Sequence, residues 1–289
     1  MDDEARTATR HCYRVLEPIH SIIYFAPEAE QAYLEAGLDK GGRLAYFASR
    51  AAALGPVGAG VVAATFYNFN PELVAKHIPR AWTLASPADL VSARVEAAGT
   101  ALRRLLGEQL VASDALAELA ELTRQAAQAT EPDGRPLFAA HAGLDWPTDP
   151  LLVLWHATTL LREYRGDGHI ASLVSHGLAG LPALVTHTAT GKGFLPEVAR
   201  KLRGWSQQEW DNAETRLREE GIIDHDGSLT DRGVAIRERI EEETDAASSA
   251  PWSRLGADKT SRVRELAKEF SRAVVAAGAY PSGLFAGQR

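Results

Sequence analysis

Apolar residues recur at every third or fourth position along most of this chain, which is the period of an amphipathic α-helix. Two clear cases are the segment that begins at Asp149-Pro150 and the stretch from Lys259 to Ala277. A polar residue followed by Pro is a common start of a helix, because Pro fits the first helical position. The pattern therefore predicts a mainly α fold. The buried stripes predicted on these two helices are Leu151, Leu154, Trp155, Thr158 and Leu161, and Val263, Leu266, Phe270 and Val274.

The stretch from Arg200 to Asp245 contains a different order of elements. Ser206 and Glu209 have the spacing of a capping box, in which each side chain satisfies the other residue's backbone at the start of a helix. Gly221 is placed to end that helix. The sequence thus predicts a helix between Ser206 and Gly221. Its buried face is predicted to hold Trp210, Ala213 and Leu217.

A short β-hairpin is predicted directly after this helix. Ile222-Ile223 begins a strand, Asp226-Gly227 is a favoured hairpin turn, and Leu229-Thr230 begins the return before another amphipathic helix. This order resembles the recognition helix and wing of winged-helix regulators of the multiple-antibiotic-resistance type. The expected fold is therefore mainly α, with a multi-helical N-terminal domain and a C-terminal winged-helix domain carrying a small β-hairpin wing.

A second resemblance extends over nearly the full length of the chain. The chain is similar to uncharacterised actinobacterial proteins that contain a helix-turn-helix. This resemblance implies architecture and a bacterial origin, and it implies no reaction. The segments that carry it are Glu17–Glu28, Tyr46–Gly58, Ala64–Pro71, Leu161–Leu184 and Arg203–Asp224.

The best candidate for a domain boundary is the Pro-rich turn from Trp146 to Pro150. It predicts a helical N-terminal domain over residues 1–147, which would hold a ligand pocket. Residues 148–289 would form the winged-helix-like domain together with a C-terminal helix. Because such a helix commonly follows the wing in proteins that dimerise, a homodimer is expected.

Composition and charge narrow the classes of function. The net charge of −7 gives no general attraction to nucleic acid or to anionic membranes. A single cysteine, Cys12, rules out an intrachain disulfide. The charged first residues do not form a signal peptide, and no window has the apolar length of a membrane span. We therefore expect a cytoplasmic protein without a membrane partner. No histidine spacing predicts a metal site, and no cofactor is expected.

An aromatic run with one arginine is the best candidate for a ligand pocket. Apolar walls with few polar anchors are typical of small-molecule sites, and an arginine among apolar neighbours needs an anionic partner in the protein or in a ligand. The alternative is a plain aromatic core. The candidate ligand-binding residues are Arg50, Tyr46, Tyr67 and Asn68, together with His20, Tyr24, His156 and Arg165.

The segment from Arg162 to His169 contains the candidate catalytic residues. Two glycines around Asp167 predict a break between helices, where polar groups can face a cavity. Asp167 would then bond His169, and His176 lies two helical turns further on. The alternative is structural, with Asp167 serving only as the N-cap of a helix. The candidate catalytic residues are thus His169, Asp167 and His176.

The predicted recognition helix is acidic. Between Ser206 and Glu220 it has two arginines against five carboxylates, whereas a helix in the major groove needs cations for phosphates and donors for base edges. DNA binding is therefore disfavoured but stays open. Its candidate residues are Gln207 and Gln208 for base contacts and Arg200, Lys201 and Arg203 for the backbone.

Three functions remain open at this point. The first is a ligand-responsive, regulator-like winged-helix protein that binds a small organic ligand. The second is an enzyme of specialised metabolism that uses the winged helix as a scaffold, with an active site around Asp167, His169, His176 and Arg50. The third is a non-catalytic binding or sequestration protein with the same pocket.

Overall fold

The structure of the protein is a computed structural model that describes residues 3–41 and 43–282. Its elements are α-helices joined by short turns and three 3₁₀ segments, and no strand occurs in this described part. The mainly α prediction is therefore confirmed. The helices of the first half are α1 (Asp3–Ser21), α2 (Pro27–Glu35), α3 (Leu44–Ala51), α4 (Ala59–Phe66), α5 (Pro71–Ala75), α6 (Pro87–Val111), α7 (Asp114–Gln128) and α8 (Pro136–Ala142). Those of the second half are α9 (Pro150–Ser175), α10 (Gly180–Ala189), α11 (Pro196–Arg203), α12 (Gln207–Glu219), α13 (Asp231–Ala247), α14 (Ala250–Leu255) and α15 (Ala257–Ala276).

The predicted β-hairpin wing is wrong. Residues 222–230 form a loop whose arms meet in one isolated antiparallel bridge, between Ile223 and Leu229. The Asp224 carboxylate accepts hydrogen bonds at 3.1 Å from the backbone N–H groups of both Asp226 and Ser228. These side-chain bonds hold the tip as a turn, and the backbone bonds of the two arms extend no further than the loop itself. Thr230 then caps α13 through the Gly233 N–H.

The long helix α9 crosses the molecule without the predicted break. Gly166, Asp167 and Gly168 all lie inside it, so the expected excursion at this site is wrong. Close packing explains why residue 168 is a glycine. A Cβ on Gly168 would lie 2.9 Å from a guanidinium nitrogen of Arg135 and 3.3 Å from the Cβ of Ala247. Gly168 therefore lets α13 and the start of α8 approach the surface of α9.

Buried apolar residues form two clusters that meet along α9. The larger contains residues of α1 to α8, of the first half of α9, and of α14 and α15. The smaller contains residues of the end of α9 and of α10 to α13. The predicted stripes on α9 and α15 are buried, and Trp210, Ala213 and Leu217 are buried on α12 as predicted. The division at residue 147 stays a prediction.

Within the described residues, no single helix is long and apolar enough to cross a membrane, although two sharply bent helix pairs reach the required length and composition together.

Candidate functional site

A cavity of about 520 Å³ lies where the two apolar clusters meet. This volume is in the range of pockets that bind small organic molecules. One side is formed by α1, α3, α4 and the segment after α4. The other side is formed by α10, α11, α13 and the loop before α11, and α9 lies between them. Helices distant in sequence thus enclose one space.

Aromatic rings form the wall on the N-terminal side. The rings of Tyr46 and Phe69 have centroids 5.3 Å apart, and those of Tyr46 and Phe66 are 6.2 Å apart. The guanidinium of Arg50 lies 4.5 Å above the Phe66 ring and donates to the Tyr46 hydroxyl at 3.2 Å. This wall offers flat apolar surface with a few fixed polar atoms.

Two of the cavity arginines share a buried carboxylate. Arg50 donates to Glu163 at 3.0 Å, and Arg162 reaches the other oxygen of Glu163 at 2.8 Å. Arg162 also contacts Glu17 at 3.1 Å. Burial by itself would raise the pKa of Glu163, but the two guanidinium groups hold it below its ordinary value. These charges are compensated within the protein.

A third arginine has two carboxylate partners on α13. Arg165 donates to Glu241 and to Asp245, both at 3.0 Å. Asp245 in turn accepts from Arg10 at 2.7 Å. Although burial disfavours the charge of Arg165, neighbouring charged groups raise its pKa above the ordinary value. This side chain is therefore a fixed element of the wall.

Arg203, the last residue of α11, has no carboxylate partner among the described residues. Its guanidinium lies 4.3 Å from the ring centroid of Phe69 and 5.6 Å from that of Phe194, and its Nε donates to the Asn68 side chain at 3.1 Å. Burial, together with the nearby cations Arg43, Arg50 and Arg162, lowers the pKa of Arg203. An uncompensated cation thus faces the cavity.

Arg237 on α13 is the second poorly compensated cation. It is 5% exposed, and its Nε and Nη1 have no hydrogen-bond partner among the residues that the structure describes. Its nearest carboxylate, that of Glu241, lies 3.6 Å from Nη2 and also forms an ion pair with Arg165. Burial lowers the pKa of Arg237 below its ordinary value. Buried donors without partners are costly, so they need a functional or structural explanation.

Two histidines lie on the same side of the cavity as these arginines. His169 bonds the Thr244 hydroxyl through Nδ1 at 2.9 Å. Burial lowers the pKa of both His169 and His187 to about 4, and Arg237 contributes to each shift. Both rings are therefore neutral at pH 7. They add hydrogen-bonding groups to the site without adding charge.

The segment after α4 joins the aromatic wall to the C-terminal helices. Tyr67 has φ of +38°, a strained conformation for a bulky residue, and its hydroxyl donates to the Leu178 carbonyl at 2.6 Å. The approach is close because Gly180 has no side chain. A Cβ there would lie 2.0 Å from the Tyr67 carbonyl oxygen. The strained backbone is thus fixed against the start of α10.

The same segment holds the turn between α11 and α12. Trp205 donates its indole N–H to the Asn68 carbonyl at 2.9 Å, and the Asn70 backbone N–H donates to the Arg203 carbonyl at 2.9 Å. The Asn70 side chain donates to Glu209 at 3.2 Å. Glu209 also completes the capping box with Ser206, as predicted. The position of α12 is therefore tied to residues beside the cavity.

The cavity brings together part of the predicted ligand-binding set. Arg50, Tyr46, Tyr67, Asn68 and Arg165 all line it, and so does His169 from the predicted catalytic set. The other predicted ligand-binding residues do not line it.

Two predicted ligand-binding residues, His20 and His156, are buried in the core, and Tyr24 packs partly buried against it. His20 bonds Thr159 at 3.0 Å and Tyr24 at 3.1 Å, and Tyr24 packs against the back of Tyr46 with ring centroids 5.5 Å apart. His156 is buried against Trp146, with ring centroids 4.7 Å apart.

Two predicted catalytic residues also lie outside the cavity lining. The Asp167 carboxylate accepts from the backbone N–H groups of Leu137 at 3.1 Å and Phe138 at 2.9 Å, which caps α8. It does not bond His169, and its capping role matches the structural alternative, on a different helix. His176 ends α9 and contacts Glu243 at 3.0 Å.

The candidate DNA-binding residues divide between the surface and the cavity. Gln207 and Gln208 are exposed at the start of α12 and donate to Asp211 and Asn212, respectively. The exposed Lys201 pairs with Glu197 at 2.6 Å, and the partly buried Arg200 donates to the Trp205 carbonyl at 3.3 Å. Arg203 lies in the cavity.

Several cavity residues were not predicted. Arg162, His187 and Arg237 were not assigned to the pocket, and Arg203 was assigned to DNA. A signal for Arg237 exists in the sequence. It follows Gly233 by four residues and precedes Ile240 by three, so an arginine falls on the buried face of α13.

Two consecutive helices, α11 and α12, joined by a tight turn at Gly204 and packed on α10, define a helix-turn-helix protein. The comparison with protein families agrees. The model described as "Helix-turn-helix family" matches residues 9–281, so the chain belongs to this family. No curated protein and no solved structure matched the chain.

Proposed function

We propose that this protein is a ligand-responsive helix-turn-helix regulator. A small organic molecule binds in the cavity between the N-terminal helices and α10–α13, and its binding changes how α12 engages DNA. The observation that carries the proposal is that Arg203 ends the first helix of the helix-turn-helix and lines the cavity. A ligand that contacts Arg203 acts directly on the turn that positions α12.

The polar links beside the cavity support this coupling. Asn68 holds Arg203 through its side chain and Trp205 through its carbonyl, while the strained Tyr67 next to it lines the cavity. A ligand that displaces Tyr67 or Asn68 must therefore break or re-form the hydrogen bonds that Asn68 makes with Arg203 and Trp205. Strained residues that contact a cavity are frequent at switch regions. Through these hydrogen bonds, a ligand in the cavity can change the position of α12.

The charge of α12 sets what kind of DNA binding is expected. Its exposed face has one arginine, Arg216, against Asp211, Glu219 and Glu220. Non-specific attraction to phosphates is therefore weak, and binding depends on specific contacts from Gln207 and Gln208. Measurable affinity is expected only at low salt and on the correct sequence.

DNA binding is tested by fluorescence anisotropy with a labelled duplex from upstream of the protein's own gene. The full chain should bind it at about 50 mM salt at least about tenfold more tightly than a scrambled duplex. The double substitution of Gln207 and Gln208 by Ala should remove that preference. The matched control is Gln31→Ala, since Gln31 is an exposed helical glutamine with an i,i+4 bond to a carboxylate like that of Gln207. Equal binding to both duplexes would contradict the regulator.

The enzyme alternative has less support. His169 and His187 are the cavity's acid–base candidates, and a pKa of about 4 makes each a weak base at neutral pH. Asp167 caps α8 and does not bond His169.

Sequestration without DNA binding is the outcome that remains if the anisotropy experiment finds no duplex preference while a ligand still binds the cavity.

A further inference from the structure

The side of the cavity formed by α11 and α13 has a surplus of positive charge. Five arginines line the cavity, and the carboxylates that contact them are Glu17, Glu163, Glu241 and Asp245. Arg50, Arg162 and Arg165 form the close ion pairs with these carboxylates. Within the described residues, Arg203 has no carboxylate partner, and Arg237 has only Glu241, at 3.6 Å and shared with Arg165.

From this arrangement we infer that the ligand is an organic anion, whose carboxylate or phosphate group is held by Arg203 and Arg237 and whose flat apolar body lies along Tyr46, Phe66 and Phe69. This assignment rests on the proposed ligand-binding role of the cavity. It adds the chemical class of the ligand and the two residues that recognise its charge.

The geometry of Arg237 is the first support. This side chain is 5% exposed, and two of its guanidinium nitrogens, Nε and Nη1, have no hydrogen-bond partner in the described part of the chain. Hydrogen bonds from a guanidinium to a carboxylate or phosphate are charge-assisted and are among the strongest in proteins. An anion in the cavity supplies an acceptor for a donor that Arg237 leaves unsatisfied.

The surroundings of Arg203 are the second support. Its guanidinium packs near two aromatic rings and has one amide acceptor, Asn68. A delocalised cation on aromatic faces is suited to bind an anion from its edge while its planes stay apolar. His187, Arg203 and Arg237 all line the same cavity.

The shape of the aromatic wall determines the rest of the ligand. Phe66 and Phe69 are buried, and Arg50 above Phe66 is already paired with Glu163. Since Tyr46, Phe66 and Phe69 line the cavity, this wall provides apolar contact surface and little unpaired charge. An aromatic or similarly flat body fits it better than a sugar or a peptide, which would need several additional hydrogen-bond partners.

The test uses two dyes that differ only in charge. Anilinonaphthalene sulfonate carries an anionic group on the same two-ring and phenyl body that phenylnaphthylamine has without it. The full chain should bind the anionic dye at least about tenfold more tightly, by fluorescence titration. Arg203→Met and Arg237→Met should each remove most of that preference while leaving the neutral dye unaffected. Arg262→Met, an exposed arginine on α15, is the control and should change neither affinity.

The outcomes separate the two proposals. If both dyes bind equally and the arginine variants have no effect, the anion site is wrong although the cavity still binds ligands. If neither dye binds, the ligand-binding function itself is contradicted. Displacement of the anionic dye by naphthoate, naphthyl phosphate and neutral naphthol then identifies the anion. At least one of the two anions should compete about tenfold better than naphthol, and equal competition by all three would overturn the assignment.

Discussion

At the scale of single residues, the cavity contains arginines of two kinds. Arg165 bridges two carboxylates at 3.0 Å, whereas Arg237 has one carboxylate at 3.6 Å and two guanidinium nitrogens without a partner among the described residues. Removing one partner of a buried ion pair is destabilising, but removing an unsatisfied buried cation can stabilise a fold. The same substitution should therefore have opposite effects at the two positions.

Arg237→Met should raise the free energy of unfolding by about 1–3 kcal/mol, because it replaces unpaired buried donors with an apolar side chain of similar length. Arg165→Met should lower it by about 1–3 kcal/mol, since Glu241 and Asp245 lose the cation that they share, although Arg237 and Arg10 remain near them. Urea unfolding of both variants beside the wild-type protein measures the two changes. A loss of stability at Arg237 as large as that at Arg165 would show that Arg237 is a structural residue.

Asp167 provides a prediction about pH. Burial raises its pKa from the ordinary 3.8 to about 6, against the opposing effect of its backbone hydrogen bonds. Because the folded-state pKa is the higher one, the associated stability is fully present below about pH 4 and is lost as the pH rises through about 6. Asp167→Asn keeps an acceptor oxygen for Leu137 and Phe138 but does not ionise.

The variant should therefore gain about 1–3 kcal/mol of unfolding free energy relative to the wild-type protein between pH 4 and pH 7.5. Urea unfolding of both proteins at the two pH values measures this difference. The other titratable groups are the same in both proteins, so their contributions to the pH dependence cancel when the two are compared. The same difference at both pH values would mean that Asp167 has an ordinary pKa.

At the scale of elements, the turn between α11 and α12 is built against α5. Gly204 has φ of +77°, and a Cβ there would lie 2.6 Å from the Leu73 side chain. Gly221, which ends α12, has a similar φ of +67° but nothing within 4 Å of the same position. The two glycines share backbone strain and differ in packing.

Gly204→Ala should therefore cost more stability than Gly221→Ala. The strain of a left-handed backbone costs roughly 1 kcal/mol at each position, and the clash with Leu73 adds about 1–3 kcal/mol at Gly204 alone. Thermal unfolding of the two variants gives the comparison. Equal losses would mean that α5 does not fix the helix-turn-helix turn.

Short sequence patterns predicted several helices correctly but predicted a β-hairpin wing that does not form. The capping box at Ser206, the start of α9 at Pro150 and the buried face of α12 all depend on neighbouring residues, which a sequence displays directly. The hairpin failed because the Asp226-Gly227 turn is satisfied by the Asp224 side chain without a ladder beyond it. Turn residues predict a turn and not the strands beside it.

The candidate site was predicted only in part for a related reason. The aromatic run and Arg50 stand out within one short segment. Arg203 and Arg237 come from helices far along the chain, and a basic residue near a helix-turn-helix suggests DNA as readily as a ligand. Only the packing of α11 and α13 across α9 places both beside that aromatic wall.

At the scale of the whole molecule, the cavity lies between the aromatic segment and the helix-turn-helix, and Tyr67–Asn70 connects them. Ligand binding should therefore change the conformation or dynamics of residues 67–70. Helices α7 and α15 pack in the larger cluster away from the cavity and should be unaffected. A ligand shifts a conformational equilibrium only by its differential affinity for the two states, so the affected residues must contact it or hold its contacts.

Hydrogen–deuterium exchange of the full chain, with and without saturating anilinonaphthalene sulfonate, tests this coupling most directly. Dye binding should change backbone exchange in residues 67–70, in the turn at residues 203–206 and around Arg237, and should leave exchange in α7 and α15 unchanged. Unchanged exchange in the turn while the cavity is occupied would contradict the claim that the cavity controls the helix-turn-helix.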